Sequence, residues 1–214
     1  LGTISLKIAI AIMTLVLIVV NANYFGAEGV GTIGLVILCI SILQMLSSFA
    51  GGGALIYLTA HYPIKKMALV YLLWTLFVSF WGTLLLHYFK MIPESYAIHV
   101  AVLSFLLSVY SFSTSILIGR EQIKLFNIIS LFQIIILLSG VFMLYNFFSL
   151  NDLRIYFYSL YAAYGISALI ATIVSFRFFE NGKTGSFKKV TIEMFKYGSY
   201  VFAASFMQLM NYRL

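Results

Sequence analysis

Charged residues are scarce in this chain. They make up 9% of its 214 residues, whereas 63% are hydrophobic; a typical soluble domain is about one quarter charged and about half apolar. A water-soluble surface cannot be built from this composition. The stretches without Asp, Glu, Lys, Arg or His cover residues 8–27, 29–60, 67–86, 100–119, 125–151, 155–176 and 197–212. Since a helix needs about 20 apolar residues to cross a bilayer, the first six stretches each suffice and the seventh nearly does.

Residues that could act in catalysis or bind a metal are equally few. Cys39 is the only cysteine, which excludes a disulfide within the chain and a cysteine-based metal site. The three histidines are not spaced as a metal-binding pair, and the six acidic residues form no aspartate pair typical of membrane transferases. His61, beside Tyr62 and Pro63, marks either a helix end or a protonation switch. We therefore predict neither an enzyme nor a metal site.

Positive charges exceed negative ones, giving a net charge of +7. No basic cluster is long enough to follow a nucleic-acid backbone, so we predict no nucleic-acid partner. If the N-terminus is cytoplasmic and the spans alternate, Lys90 and Arg154 fall outside. The inner residues are then Lys7, Lys65, Lys66, Arg120, Lys124, Arg177, Lys183, Lys188, Lys189 and Lys196. By the positive-inside rule, this bias predicts a multi-pass cytoplasmic-membrane protein with its N-terminus in the cytoplasm.

Long unbroken apolar runs favour an all-α transmembrane bundle over a β-barrel, whose strands alternate apolar and polar residues. We predict helices over residues 6–25, 30–59, 67–89, 96–118, 124–147, 154–178 and from 193 onward. A glycine-rich stretch, 25–31, should form the first outer turn, because glycine tolerates positive φ angles. A loop with most of the inner charge, 177–189, precedes the seventh helix.

The second apolar run is too long for one straight span, since 32 helical residues extend about 48 Å. Gly51, Gly52 and Gly53 lie two thirds of the way along it. Three glycines weaken a helix and leave a groove without side chains. Two interpretations stay open: close packing of another helix, or a hinge that lines a cavity.

Polar side chains within the spans are costly in hydrocarbon unless a partner, water or a substrate meets them. They are Asn21, Asn23, Gln44, Asn127, Gln133, Gln208, Asn211 and Arg213. The fourth helix also carries a stripe of Ser104, Ser108, Ser111 and Ser115. For the amides the alternative to function is hydrogen bonding between helices; for the serines it is close packing, as opposed to a polar wall for a sugar-bearing substrate.

Four segments together resemble one family of membrane transporters. Residues 23–34 (NYFGAEGVGTIG) are similar to the first outer turn of bacterial polysaccharide flippases, and 50–55 (AGGGAL) to the glycine-rich end of their second helix. Residues 118–127 (IGREQIKLFN) resemble their junction of helices four and five. The opening of their seventh helix resembles 195–198 (FKYG) leading to 209–214 (LMNYRL). Ala27 departs from the family, which usually has proline there.

This resemblance implies the O-antigen and capsule flippases of the MATE-like exporter superfamily, which have two six-helix lobes around a central cavity. We expect residues 1–179 to form the first lobe, 180–192 a cytoplasmic connector, and 193–214 the start of helix seven and of a second lobe. The chain would then be an N-terminal fragment. The cargo implied is an undecaprenyl-diphosphate-linked oligosaccharide, moved across the membrane by alternating access. Other polysaccharide-assembly membrane proteins are implied as further partners.

The same resemblance assigns roles to individual residues. Arg213 would bind the diphosphate, while Asn211, Asn21 and Asn23 would line the cavity or steady helix one against helix seven. By depth alone, Arg213 could equally reach water at the outer interface. No cofactor is implied, although H⁺ or Na⁺ coupling fits the superfamily. The alternatives are a flippase for lipid-linked peptidoglycan precursors or a small-molecule exporter of the same fold, and less readily a glycan polymerase or ligase or a membrane scaffold.

Overall fold

The computed structural model describes residues 3–92, 94–148, 153–179 and 185–211, and within these ranges all regular structure is helical. The α-helices are α1 Thr3–Ser47, α2 Ala54–Leu58, α3 Ile64–Phe77, α4 Thr83–Tyr88, α5 Ala97–Gly119, α6 Ile123–Phe148, α7 Arg154–Ser175 and α8 Phe187–Asn211. A π-turn, Val78–Gly82, joins α3 to α4. Short 3₁₀ turns occupy Ser48–Ala50, Glu94–Tyr96 and Phe176–Phe178. The all-helical prediction is confirmed.

Helix α1 consists of two helices that meet at a kink. Gly26 has φ +65° and ψ −174°, a combination open almost only to glycine. We call residues 3–25 α1a and residues 27–47 α1b. A straight helix of this length would extend about 70 Å, more than twice the apolar thickness of a bilayer. The interruption therefore falls where the sequence predicts the first turn.

Five helical stretches are long and apolar enough to cross a membrane: Thr3–Leu58, Ile64–Tyr88, Ala97–Gly119, Ile123–Asn146 and Arg154–Phe178. The first of them has 56 residues and contains the kink at Gly26. The six spans predicted before residue 180 thus have helical counterparts, and a multi-pass membrane bundle is the result. The two-lobe MATE-like arrangement stays a prediction.

Helix α8 differs from its prediction in two respects. It begins at Phe187 rather than at 193, so residues 187–192 of the predicted connector are helical. It is also not among the stretches apolar enough to cross a membrane, within the residues described. The early start has a simple cause: Lys188, Lys189 and Glu193 are compatible with a helix although they interrupt an apolar run. Residues 180–184 of that connector lie outside the described ranges.

Helix α7 packs against both α5 and α6, and α1 packs against the same two helices. The principal partners of α8 are the Ser48–Ala50 turn, α2 and α3. Contacts between residues near helix ends distinguish the two ends of the bundle. At one end the Lys66 ammonium donates to the carbonyl of Gly185, and the Arg120 guanidinium lies 6.0 Å from the Phe178 ring. We call this the basic end and the opposite one, where the ring of Phe25 meets that of Tyr156, the Gly26 end.

Candidate functional site

The second span is broken at the glycines that the sequence singles out. A 3₁₀ turn, Ser48–Ala50, precedes Gly51 at φ 167° and Gly52 at φ +41°, after which α2 resumes. Through the break, the backbone hydrogen bonds connect residues three apart, as from the Gly51 amide to the Ser48 carbonyl at 3.0 Å. Such 3₁₀ turns are wound more tightly than an α-helix and have poorer hydrogen-bond geometry. We call residues 48–53 the glycine break.

Helix α8 lies directly on the glycine break. A side-chain carbon added to Gly198 would collide with the carbonyl oxygen of Phe49 and lie 3.1 Å from the amide nitrogen of Gly51. A carbon added to Gly53 would lie 3.3 Å from the Val201 side chain. The two backbones are therefore in contact, which only glycine at 198 permits. Close packing of another helix is therefore observed at these glycines, whereas a hinge that lines a cavity stays a prediction.

Polar side chains from three helices meet next to the glycine break. The Ser108 hydroxyl of α5 donates to Oε1 of Gln44 in α1b at 2.9 Å. Tyr71 of α3 is fully buried, and its hydroxyl lies beside Ser108 and Ser111 without the geometry of a hydrogen bond to either. Ser47, the residue before the break, is also buried with an unpartnered hydroxyl. We call Gln44, Ser47, Tyr71, Ser108 and Ser111 the polar core.

The π-turn contains one further buried hydroxyl. Ser79 is 4% exposed and its hydroxyl has no partner. The turn packs closely, because a carbon added to Gly82 would collide with the side chain of Leu43, one residue before Gln44. Buried polar atoms without partners are rare in folded proteins, and π-turns are frequent at functional sites. The arrangement presents several donors and acceptors inside an otherwise apolar bundle.

The serine stripe of α5 divides between two tasks. Ser108 and Ser111 belong to the polar core, whereas Ser104 donates to the Ala101 carbonyl of its own helix. The neighbouring Ser113 hydroxyl pairs with that of Thr172 in α7 at 2.9 Å. Ser108 and Ser113 thus bond to neighbouring helices, as helix packing predicts, and the polar wall for a sugar-bearing substrate stays a prediction. Sequence reasoning missed Tyr71, Ser47 and Ser79, since tyrosine is common at interfaces and isolated serines carry no pattern.

The predicted site residues are only partly brought together. Asn21 is buried near the hydroxyl of Tyr156 in α7, with its Oδ1 unpartnered, while Asn23 is exposed. The Gln44–Ser108 pair and the glycine break lie on α1b and beyond, so Asn21 belongs to a different part of the bundle. Asn211 is the last residue of α8, and Arg213 lies outside the described residues.

A crevice with aromatic and charged walls lies at the Gly26 end. It consists of two adjoining recesses of about 360 and 350 Å³ that share Tyr96. Tyr24 and Glu28 line the first, and His99 and Arg154 line the second. Tyr24 is held flat against Tyr145, with ring centroids 3.7 Å apart, and His99 contacts the Tyr161 hydroxyl at 2.9 Å. We call this the aromatic crevice.

Metal chemistry has no candidate among the described residues, where no three His, Cys, Asp or Glu side chains cluster. Comparisons of the chain with protein-family profiles, with curated proteins and with solved structures give no match. The likeness to polysaccharide flippases consequently stays a prediction.

Proposed function

We propose that the chain is part of a flippase that moves an undecaprenyl-diphosphate-linked oligosaccharide across a bacterial cytoplasmic membrane by alternating access. The observation that carries the proposal is the glycine break in a membrane-spanning helix, covered by α8 and adjacent to the polar core. Broken helices at membrane depth are tolerated only where protein or a polar cavity satisfies their backbone, and transporters use them at their substrate sites.

Moving such a cargo requires a path for sugars and phosphates through hydrocarbon. A cavity that opens to one side at a time keeps these groups hydrated while the lipid tail stays in the membrane. The polar core supplies hydroxyl and amide groups for one wall of this path, with Tyr71, Ser108 and Gln44 from three different helices. Movement at the glycine break would displace α8 relative to α1b and so change which side is open.

The aromatic crevice suits the sugar part of the cargo. The faces of Tyr24 and Tyr96 provide flat apolar surfaces, and Glu28 and Arg154 provide polar groups beside them. Ligand sites commonly combine aromatic walls with a few polar groups that fix orientation. In the proposed orientation this end faces the outside, where the glycan is released.

Arg213 is assigned to the diphosphate, because a guanidinium stays charged and donates two parallel hydrogen bonds to phosphate oxygens. Asn211, Asn21 and Asn23 are assigned to the cavity wall.

The test uses a bacterial strain that makes a surface polysaccharide and carries the full-length protein, together with the same strain lacking that protein. Arg213→Ala should abolish surface polymer while the amount of protein in the membrane stays normal, and Arg213→Lys should retain part of it because charge alone is kept. The matched control is Arg177→Ala, at the basic end. Normal polymer in the Arg213→Ala strain would remove the diphosphate role, and normal polymer in a strain lacking the protein would remove the proposed function itself.

A further inference from the structure

An apolar groove runs between α3 and α8 on the surface of the bundle. It has a volume of about 380 Å³ and is lined mainly by Val70, Leu73, Trp74 and Phe77 of α3 and Phe187 and Phe195 of α8. The polar atoms on its walls are already engaged within the protein: the Trp74 indole donates to the Leu46 carbonyl at 3.1 Å, and the Thr191 hydroxyl to the Phe187 carbonyl at 3.0 Å. The groove thus offers only apolar contact.

Each helix that forms the groove carries a lysine on its groove side, by helical spacing. Helical spacing places Lys66 on the same face of α3 as Val70, Leu73 and Phe77, at intervals of four, three and four residues. On α8, Lys188 lies two turns before Phe195 on nearly the same side. The ammonium of Lys66 donates to the Gly185 carbonyl, and Lys188 is exposed.

The length of the groove along α3 matches the thickness of one membrane leaflet. Eleven residues separate Lys66 from Phe77, a helical rise of about 17 Å, and half of a bilayer core is about 15 Å. With the lysines at the headgroup level, the aromatic side chains lie beside the acyl chains of the same leaflet. The nearest carboxylate on α8, Glu193, is on the opposite side of that helix and interacts with Tyr197. Of Lys66, Lys188 and Glu193, only the two lysines therefore lie on the groove side of their helices.

We infer that this groove is a binding site for an anionic phospholipid, whose phosphate is held by Lys66 and Lys188 and whose acyl chain lies against Trp74 and Phe195. Basic pockets between transmembrane helices bind anionic headgroups, and each lysine near the surface contributes to that attraction. The site is independent of the proposed transport. It predicts that phospholipid occupies the surface where α8 meets α3, next to the glycine break.

Trp74 provides a direct probe, since Trp81 is the only other tryptophan in the chain and is replaced by phenylalanine (Trp81→Phe). The full-length protein, in which any tryptophan outside this chain is also replaced by phenylalanine, is reconstituted in vesicles. These contain rising fractions of phosphatidylglycerol or phosphatidylcholine with brominated acyl chains, which quench indole fluorescence on contact. We expect the fraction of brominated phosphatidylglycerol that quenches half of the Trp74 fluorescence to be about ten times lower than the fraction of brominated phosphatidylcholine.

Two double variants remove the same charge from the same helix ends. Lys66→Gln with Lys188→Gln should bring phosphatidylglycerol to the level of phosphatidylcholine. Lys65→Gln with Lys189→Gln, whose positions point away from the groove, should leave the preference intact. Circular dichroism checks that both variants keep their helices.

Three results would overturn the inference. Equal quenching by the two lipids would show that headgroup charge is not recognised. Equal loss of preference in both double variants would reduce the effect to general surface charge. Absence of quenching by either lipid would show that protein, such as a second copy of the chain, covers the groove.

Discussion

Among the helix contacts in this bundle that depend on glycine, two differ in what the glycine faces. Between α6 and α7, a carbon added to Gly140 would lie 3.0 Å from the Ser159 hydroxyl, so the contact is with a side chain of a continuous helix. Between α8 and the glycine break, Gly198 touches the backbone of a helix that is interrupted. The first contact holds two intact helices together, while the second lies where the chain has fewer helical hydrogen bonds.

This difference indicates where the bundle can change shape. A continuous membrane helix satisfies its own backbone and moves as a rigid body. At the glycine break the backbone conformation depends on local turns and on the cover that α8 provides. We therefore expect α5, α6 and α7 to form the stable part of the bundle and the glycine break with α8 to form its moving part.

The largest predicted effect is at Gly198. Gly198→Ala should lower the free energy of unfolding by about 1–3 kcal/mol, because its methyl group overlaps the Phe49 carbonyl and one backbone must shift. Gly165→Ala in α7 is the matched control: nothing lies within 4 Å of the added carbon, so stability should rise by about 0.5–1 kcal/mol. Denaturant titration of helicity in detergent measures both. Equal effects at the two positions would contradict the backbone contact.

The next effect is at Gly52, within the break. Gly52→Ala should lower the free energy of unfolding by about 1–2 kcal/mol. The φ angle of Gly52 is +41°, and the added Cβ would lie 2.7 Å from the Cβ of Ser48. Gly53→Ala should cost less, because its φ of −63° suits any residue and its nearest neighbour is 3.3 Å away. The same titration compares the two. A larger loss for Gly53→Ala would mean that the break does not have this backbone conformation.

The smallest effect separates stability from movement. Double-mutant cycles on Gln44→Leu with Ser108→Ala, and on Ser113→Ala with Thr172→Val, should each give a coupling of about 0.6 kcal/mol, since both are single hydrogen bonds of 2.9 Å between helices. Surface polymer should fall only for the Gln44 and Ser108 variants. If the Ser113 and Thr172 variants lower it equally, the polar core has no separate role.

The spans could be predicted from the sequence because uncharged runs of 20 residues or more leave few alternatives in a membrane. The kink at Gly26 lies within the glycine-rich stretch that predicts the first turn, and the glycine break lies at the three glycines for which the sequence left close packing and a hinge open. The start of α8 could not be predicted in this way, because Lys188, Lys189 and Glu193 interrupt the apolar pattern without ending the helix.

The polar core was beyond prediction for a different reason. Gln44 and Ser108 were visible as polar residues inside spans, yet nothing in their spacing states that α1b faces α5. Tyr71 joins the site because α3 packs beside α1b and α5. Ser79 is buried in a π-turn, whose formation depends on packing among neighbouring helices rather than on local sequence preference. The residues that contact a transported cargo cannot be predicted until it is known which helices pack against each other.

The central claim, that movement at the glycine break drives transport, is tested most directly by a reversible cross-link. Gly53→Cys with Val201→Cys, in a protein with Cys39→Ala, joins the break to α8, and Gly140→Cys with Ser159→Cys joins α6 to α7 as the control. Transport of a lipid-linked oligosaccharide into vesicles is measured before and after reduction. We predict that the first cross-link stops transport, that reductant restores it, and that the control cross-link has no effect. Unchanged transport with the glycine break cross-linked to α8 would contradict the account.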